Sequence, residues 1–228
     1  MLVTINRNVH QRVWSVHMAS TSVPDLATTR RSKAKSDRRS QLIAAAERLV
    51  AERGYLAVRL EDIGAAAGVS GPAIYRHFPN KEALLVELLV GISTRLLAGA
   101  TDVVTRADDP SSALDGLVDF HLDFALGESD LIRIQDRDLP SLPTGAKRQV
   151  RKAQRQYVEI WVDVLRQLNM SLREDDARLM AHAAFGLLNS TPHSVKPSAV
   201  KKAEASERAV LRAMTVAALT SAAETVSG

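Results

Sequence analysis

Apolar side chains recur along this chain at helical spacing, and no segment shows the strict alternation that is typical of a half-buried strand. The first stripe lies between residues 37 and 53, with Leu42, Ala46 and Leu49 on one face, and Gly54 follows it as a stop signal. Eight further stripes cover residues 60–67, 70–78, 80–97, 110–125, 129–138, 144–168, 173–189 and 199–222. The pattern therefore predicts an all-α protein with about nine helices.

Two of the predicted helices are short and lie next to each other. The first carries Leu60 and Ile63 and ends at Gly68, a residue that readily adopts the left-handed conformation of a helix end. The second has Ser70 at its N-cap position and Pro72 in its first turn. Two short helices that cross steeply at a glycine turn are typical of the helix-turn-helix, which places its second helix in the major groove of DNA.

The composition suits a helical globular protein. Hydrophobic residues make up 46% of the 228 residues but aromatic residues only 4%, so alanine and leucine supply most of the apolar surface. The absence of cysteine excludes disulfides, thiolate metal sites and cysteine nucleophiles, and it is consistent with a reducing cytoplasm. The most apolar run, residues 84–92, is interrupted by Glu87 and Gly91, and polar residues break up residues 1–20. We therefore expect neither a membrane span nor a secretory signal.

Positive charge is concentrated at the amino-terminal end of the chain. Residues 1–37 contain six Lys/Arg and two Asp/Glu, residues 38–81 contain seven and four, and residues 82–228 contain seventeen and twenty, so the segment charges are +4, +3 and −3. This asymmetry is expected of a protein that presents one end to a polyanion such as DNA. A solvated basic tail without a partner accounts for the charge equally well.

The residue patterns that mark enzymes are missing from the sequence. The six histidines are scattered, none forms an i, i+4 pair, and there is no Gly-rich phosphate loop, nucleophile elbow or Glu-x-x-His pair. Paired aspartates at 108–109 and 175–176 stand at predicted helix starts, where capping explains them. We therefore expect no catalytic residue, metal or cofactor. A small helical enzyme and a helical interaction module that does not bind DNA are the alternatives to a DNA-binding protein.

Three short segments at fixed offsets carry a resemblance to a known family: Gly-Val-Ser at 68–70, Ile-Tyr-Arg-His-Phe at 74–78 and Asn-Lys-Glu-Ala-Leu at 80–84. Around them, residues 38–85 resemble the DNA-binding domain of the TetR/AcrR family of bacterial transcriptional repressors. The resemblance implies a helix-turn-helix domain followed by a larger helical domain that binds a ligand and dimerises. Residues 156–165 are also similar to a segment of actinobacterial members that sense acyl-CoA or sterol-derived thioesters.

The resemblance implies that residues around the second short helix contact DNA, and their chemistry agrees. Gly71 and Ala73 are small enough for the helix to approach base edges. Tyr75 and His77 are predicted to face outward and to hydrogen-bond to phosphates, while Ile74 faces inward. The predicted DNA-contacting residues are Arg59, Ser70, Gly71, Pro72, Ala73, Tyr75, Arg76, His77 and Lys81.

The individual roles of these residues differ. Lys81, in the first turn of the next helix, is predicted to meet a phosphate where its charge and the helix dipole act together. Arg76 could read a guanine or hold the DNA backbone, or it could point into solvent without a role, and a structural role is the alternative for His77. Val58 and Arg59 stand where family members usually place Thr or Ser, so an N-cap hydroxyl is missing, at a cost of about 1 kcal/mol.

The resemblance also implies a homodimer and an effector. A protein that contacts only a few base pairs needs a second copy of itself for specificity, so we expect a homodimer on a palindromic operator. The last two helices are expected to form the dimer interface or, alternatively, internal core. A small apolar effector, acyl or sterol-like, is expected to bind among the central helices and to displace the fourth helix. Its pocket is expected where polar or bulky residues interrupt apolar faces, although a histidine there is also typical of a core. The candidates are His121, Tyr157, Trp161 and His182.

The predicted domain order has three parts. Residues 1–36 are expected to be a disordered basic arm, because residues 19–36 are rich in Ser, Thr, Arg and Lys around Pro24. Residues 37–97 are expected to form the DNA-binding domain, and residues 98–228 the ligand-binding and dimerisation domain. Met18 is an alternative start to Met1.

Overall fold

The computed structural model describes residues 26–190 and 201–225, with side chains described over residues 33–190 and 205–221. In these ranges there are nine α-helices and one short 3-10 helix, and no strand. The α-helices are α1 (Leu26–Arg53), α2 (Leu60–Ala66), α3 (Gly71–Ile74), α4 (Lys81–Arg106), α5 (Pro110–Gly127), α6 (Ser129–Asp138), α7 (Thr144–Leu168), α8 (Glu174–Leu188) and α9 (Lys201–Thr225), and the 3-10 helix is Leu139–Ser141. The predicted fold class is confirmed.

The predicted helix positions are confirmed within a few residues for most elements, but α1 begins earlier and α4 ends later than predicted, and α3 is shorter. It ends at Ile74 instead of Phe78, and a turn continues through bonds from the His77 and Phe78 amides to the Ile74 carbonyl at 2.9 and 3.0 Å. Pro79 prevents a helix from continuing beyond Phe78, because proline disfavours helical conformation in the residue before it.

The amino-terminal part of α1 differs from the predicted disordered arm. Residues 26–36 are helical, and the side chains of residues 33–38 are all exposed, so burial does not explain this helix. The segment has no proline or glycine and is rich in Ala, Arg and Lys, which are good helix formers. A helix that is already nucleated adds one hydrogen bond for each further residue, so α1 extends beyond its buried part. The rest of the predicted arm, residues 1–25, lies outside the described residues.

The chain divides into two units, residues 1–37 and 38–228. The second unit contains two buried apolar clusters. The first cluster is built from α1, α2, α3 and the beginning of α4, with Leu42, Ile63 and Phe78 fully or almost fully buried. It also includes Leu131 and Ile134 from α6, together with Leu142 and Val150. The predicted domain boundary at residue 97 falls inside α4 and stays a prediction.

The second cluster joins the later part of α4 to α5, α7, α8 and α9 around the fully buried Trp161. Helix α4 therefore serves both clusters, with Leu84 and Leu89 in the first and Ala100 in the second. This explains why α4 is long and apolar enough, by length and composition, to cross a membrane, with a mean hydropathy of 1.7 over 18 residues. The expectation of no membrane span considered only the interrupted run at 84–92, whereas the apolar stretch continues along a longer part of helix α4.

Two glycines allow α4 and α5 to pack closely. A Cβ atom on Gly99 of α4 would overlap the ring of Phe120, and one on Gly116 of α5 would lie 2.8 Å from the Val103 side chain. By contrast, a Cβ on Gly91 of α4 would meet nothing within 4 Å. The contact between α4 and α5 thus depends on glycine at positions 99 and 116.

Candidate DNA-binding surface and effector cavity

The turn between α2 and α3 brings the two short helices into close contact. Gly68 has a φ of +66°, and the Val69 amide donates to the Gly64 carbonyl at 2.8 Å. A Cβ on Gly64 would lie 3.2 Å from the Val69 carbonyl oxygen and 3.5 Å from the Ile74 Cβ. The predicted glycine turn is present, and Gly64 is a second glycine that the crossing needs because the two backbones approach so closely.

One side of α3 and the turn after it is buried, and the other is open to solvent. Ile74 and Phe78 are buried in the first cluster, as predicted, whereas Tyr75 is 48% exposed. Most of the predicted DNA-contacting residues belong to α3, its N-cap and the turn after it, whereas Arg59 precedes α2 and Lys81 begins α4. Arg59, Ser70, Pro72, Tyr75 and Arg76 are exposed, and Gly71, Ala73, His77 and Lys81 are half-buried.

Tyr75 has a partner within the protein. Its hydroxyl donates to a carboxylate oxygen of Glu61, a residue of the first turn of α2. This bond raises the pKa of Tyr75 and lowers the pKa of Glu61. To contact a phosphate, the Tyr75 hydroxyl must therefore break its hydrogen bond to Glu61. The Glu61 carboxylate would then remain as a negative charge close to the DNA.

Lys81 is bound to the loop between α1 and α2. Its ammonium group donates to the backbone carbonyls of Tyr55, Val58 and Leu56 at 2.8, 2.9 and 3.3 Å, and it lies 4.5 Å from the centroid of the Tyr55 ring. An ammonium group has three protons, so these carbonyls occupy all of its donors. The Lys81 ammonium group is thus held by internal contacts, and its expected phosphate contact stays a prediction.

The missing N-cap hydroxyl of α2 is partly compensated. Arg59 is the N-cap residue and makes no side-chain cap, but its backbone amide donates to the Asp62 carboxylate at 3.0 Å. One half of a capping box is therefore present. Ser70 stands at the N-cap of α3, as predicted, but its hydroxyl makes no capping bond.

Arg39 was not predicted from the sequence, although it supports the open side of α3. Its guanidinium group pairs with the Glu87 carboxylate of α4, donates to the His77 carbonyl at 2.7 Å, and lies 4.4 Å from the centroid of the Phe78 ring. These contacts tie α1, the turn after α3 and α4 together. In the sequence, Arg39 is one of several basic residues near the start of the first stripe, and nothing distinguishes it.

A cavity of about 260 Å³ lies among helices α4 to α8. Three of the four predicted pocket residues, His121, Tyr157 and His182, line it. The other lining residues are Ser93, Leu96, Phe124, Ile132, Gln135, Asp136, Gln154, Val158, Phe185 and Asn189. The lining thus combines five apolar side chains with Tyr157 and seven polar or charged residues, so the cavity can contact both apolar and polar parts of a small molecule.

A buried polar network crosses one wall of the cavity. His121 contacts the Tyr157 hydroxyl through Nδ1 at 2.9 Å and the Asn189 side-chain oxygen through Nε2 at 3.0 Å. Because the amide oxygen can only accept, Nε2 carries the proton, and the Tyr157 hydroxyl donates to Nδ1. Burial lowers the pKa of His121 to about 4, so the ring is neutral at pH 7, and burial raises the pKa of Tyr157. The Asn189 amide remains in the wall as a hydrogen-bond donor.

Trp161 does not line the cavity, in contrast to the prediction. It is fully buried behind the wall, with its ring centroid 6.1 Å from that of His121 and 5.1 Å from that of Phe185. A residue one turn beyond Tyr157 shares its face of α7, so spacing alone did not separate the lining residue from the supporting one. Phe185 and Asn189 were missed because a Phe and an Asn near a helix end have no distinctive signal.

Comparison with known proteins identifies the class of this molecule. Residues 42–88 match the model of the tetR family of bacterial regulatory proteins, and residues 107–197 match the tetracyclin repressor-like C-terminal domain. The chain is 35% identical to the HTH-type transcriptional regulator CymR of Pseudomonas putida over 159 residues, which is 67% of this chain and 77% of CymR. The chain therefore belongs to the TetR family of bacterial transcriptional regulators.

Particular relatives include an actinobacterial protein. The chain is 34% identical to the HTH-type transcriptional repressor KstR2 of Mycobacterium tuberculosis over 137 residues, which is 58% of this chain and 66% of KstR2. The solved structure of that ketosteroid transcriptional regulator covers 78% of this chain and 94% of its own, at 24% identity and a TM-score of 0.66. The structure of AibR in complex with isovaleryl coenzyme A and operator DNA covers 78% and 97%, at 19% identity and a TM-score of 0.66.

Proposed function

We propose that this protein is a homodimeric repressor in the cytoplasm that binds a palindromic operator and is released from it by an apolar effector. The observation that carries the proposal is the division of α3 and its following turn into two sides. Ile74 and Phe78 fix one side in the core, while Tyr75 and Arg76 are exposed. This is what a recognition helix requires, because its outward side chains must reach base edges and phosphates from a rigid base.

Arg76 is the foremost candidate for a direct DNA contact. Its side chain is exposed, and in the part of the chain that the structure describes it has no hydrogen-bonding or ionic partner. Tyr75 and Lys81 are both held by internal bonds. A guanidinium group can bind guanine or phosphate through two hydrogen bonds at once. We therefore assign the DNA contact to Arg76 and a positioning role to Lys81.

Exposed apolar positions on α8 and α9 support the homodimer. Leu179 of α8 is 69% exposed, and Val210 and Met214 of α9 are 53% and 51% exposed. Small exposed residues continue the same faces at Ala183 and Ala217, whereas Ala181 and Ala184 of α8 are buried in the chain's own core. An apolar stripe shared by two neighbouring helices fits a self-complementary four-helix interface.

The positions of α4 and α6 support release by an effector. Helix α4 contributes Ser93 and Leu96 to the cavity wall, and it begins at Lys81, directly after the turn that follows α3. Helix α6 contributes Ile132 to the wall, and Arg137 at its end donates to the Val50 and Ala51 carbonyls at the end of α1. A ligand that moves either helix would change the placement of α3, and a coupling of about 1–3 kcal/mol is enough to regulate binding.

The chemistry of the cavity favours an effector with an apolar group, such as an acyl-CoA or a sterol-like compound. The wall combines aromatic and aliphatic side chains with the Asn189 amide and the Tyr157 hydroxyl, which suit a carbonyl or hydroxyl group on an apolar ligand. The names of two similar proteins support this class, since one is a ketosteroid regulator and the other is bound to isovaleryl coenzyme A.

The proposed function is tested by a gel-shift titration against DNA from upstream of the protein's own gene, followed by selection from random DNA. We expect selective binding that weakens with salt, and Arg76→Ala should weaken it by about 1–3 kcal/mol. Leu179→Lys combined with Met214→Lys should give monomers in light scattering, whereas Met170→Lys, at a position 93% exposed between α7 and α8, should leave the dimer intact. If neither DNA pool yields selective binding, the protein is not a DNA-binding repressor.

A further inference from the structure

A second depression adjoins the effector cavity on the outer side of α7. This groove has a volume of about 230 Å³, and it shares the lining residues Gln154, Val158 and His182 with the cavity. Its remaining lining residues are Arg151, Arg155 and Glu159. Because three side chains border both spaces, the cavity and the groove lie next to each other.

The groove is positively charged. Arg151 and Arg155 are one helical turn apart, so their side chains share a face of α7, and both are exposed. In the described part of the chain neither of them has an acidic partner. Glu159 is paired with Arg178, whose guanidinium group donates to its carboxylate at 2.8 Å and also pairs with Glu174 and Asp175. Among the residues that the structure describes, the groove is therefore lined by two guanidinium groups without a carboxylate partner.

The surrounding helix adds to this charge. Residues 144–156 contain five Lys/Arg and no Asp or Glu. Lys147 donates to the Pro140 carbonyl at 2.9 Å. Arg148 and Lys152 are exposed and do not line the groove. The positive charge next to the cavity is thus a property of the whole amino-terminal half of α7, with Arg151 and Arg155 placed at the opening.

We infer that the effector is an amphiphile that fills the cavity with its apolar group and lays a phosphorylated portion on Arg151 and Arg155. The inference rests on the proposed effector site and adds the class of its polar end. Guanidinium groups bind phosphate through paired, charge-assisted hydrogen bonds. The cavity alone is slightly smaller than the roughly 300–1,000 Å³ of usual small-molecule pockets, so a ligand that continues into the groove fits the available space better than a purely apolar one.

The test is isothermal titration of the full chain with four probes: octanoate, coenzyme A, octanoyl-coenzyme A and octyl phosphate. Octanoate supplies the tail alone and coenzyme A the phosphorylated portion alone, whereas the last two combine both. We expect a combined probe to bind at least about tenfold more tightly than either part, with an affinity that falls as salt rises. Tight binding of octanoyl-coenzyme A identifies a cofactor thioester, and tight binding of octyl phosphate alone identifies a lipid phosphate.

Two double variants separate the groove from the general charge of α7. Arg151→Ala with Arg155→Ala should weaken the preferred combined probe at least about tenfold and leave octanoate unchanged. Arg148→Ala with Lys152→Ala removes the same charge from exposed positions of the same helix outside the groove, and it should change the affinity less than about threefold. Circular dichroism of both variants verifies folding.

Three outcomes would overturn the inference: no binding by any phosphorylated probe, equal affinity for octanoate and the combined probes, or equal losses in the two double variants. Failure of the proposed function is seen separately, in the gel-shift titration without ligand. A protein that binds the amphiphile but no DNA retains the inferred site and loses the repressor function. A protein that binds DNA but none of the phosphorylated probes loses only the inferred site.

Discussion

Replacing Lys81 with methionine should destabilise the protein and should not act primarily on DNA. Methionine keeps the apolar length of the side chain and removes the ammonium group that binds the carbonyls of Tyr55, Leu56 and Val58. A hydrogen bond to a charged group contributes about 1.5–3 kcal/mol. Lys81 is half-buried, so water can replace part of the interaction, and we expect a net loss of about 2–3 kcal/mol.

The assay is urea unfolding followed by circular dichroism, together with gel shifts at a temperature where both proteins are folded. A loss of about 2–3 kcal/mol corresponds to a fall in Tm of roughly 4–12 °C for a chain of this length. Arg76→Met is the matched control, because it removes one exposed positive charge nearby and should lower DNA affinity without changing stability. An unfolding free energy within about 0.5 kcal/mol of wild type for Lys81→Met, together with a salt slope reduced by about one, would refute the structural role.

Three further changes have defined outcomes. Gly99→Ala should destabilise the protein by about 1–2 kcal/mol in urea unfolding, because the new methyl group displaces the Phe120 ring, whereas Gly91→Ala in the same helix should stabilise it by up to about 1 kcal/mol. The lowered pKa of His121 means that only the unfolded chain gains a proton between pH 6.5 and 4, so stability should fall by about 2 kcal/mol from pH 7 to pH 5, and His121→Gln should lack this loss. Glu61→Gln should raise DNA affinity severalfold in gel shifts, because it removes a negative charge beside Tyr75 and weakens the bond that holds the Tyr75 hydroxyl.

Each of these outcomes can be contradicted by a direct comparison. Equal stability of the two glycine variants would show that Phe120 moves aside freely. The contribution of His121 is the difference in pH dependence between wild type and the His121 variant. This comparison is needed because burial and nearby acidic groups raise the pKa of Glu47 to about 7, so Glu47 makes stability fall as pH rises from its ordinary pKa towards 7. Unchanged DNA affinity in Glu61→Gln would place the α2 carboxylate away from the DNA.

Most of the helical fold could be predicted from the sequence, because apolar spacing and local stop signals are encoded side by side. Gly54 and Gly68 have φ values of +88° and +66°, as helix-ending glycines require. Prediction was weaker where apolar spacing has two explanations. In α8 and α9, Leu179 and Met214 fall on helical stripes, but their faces are exposed in this chain. Such stripes fit an interface as well as a core.

The parts of the candidate site that could not be predicted depend on contacts between residues far apart in sequence. Arg39 meets Glu87 across 48 positions, and His121 meets Asn189 across 68. Lys81 was predicted to be important, but its partners are backbone carbonyls, which have no residue signature. Residue types therefore indicated which parts of the chain hold functional side chains, but the hydrogen-bond partner of each side chain could only be found from the fold.

The composition of the first apolar cluster limits how the DNA-binding helices can be exchanged between regulators of this family. Leu131, Ile134, Leu142 and Val150 complete the core beneath the DNA-binding helices, although they follow α4 in the chain. Removing them would uncover apolar surface worth about 1.5–3 kcal/mol per side chain. In a hybrid protein whose two parent sequences are joined within α4, these four side chains would therefore pack poorly against helices α1 to α3 of the other parent. Recombination, in evolution or in the laboratory, can combine the operator of one regulator with the effector of another only if these four positions are changed to fit the new helices.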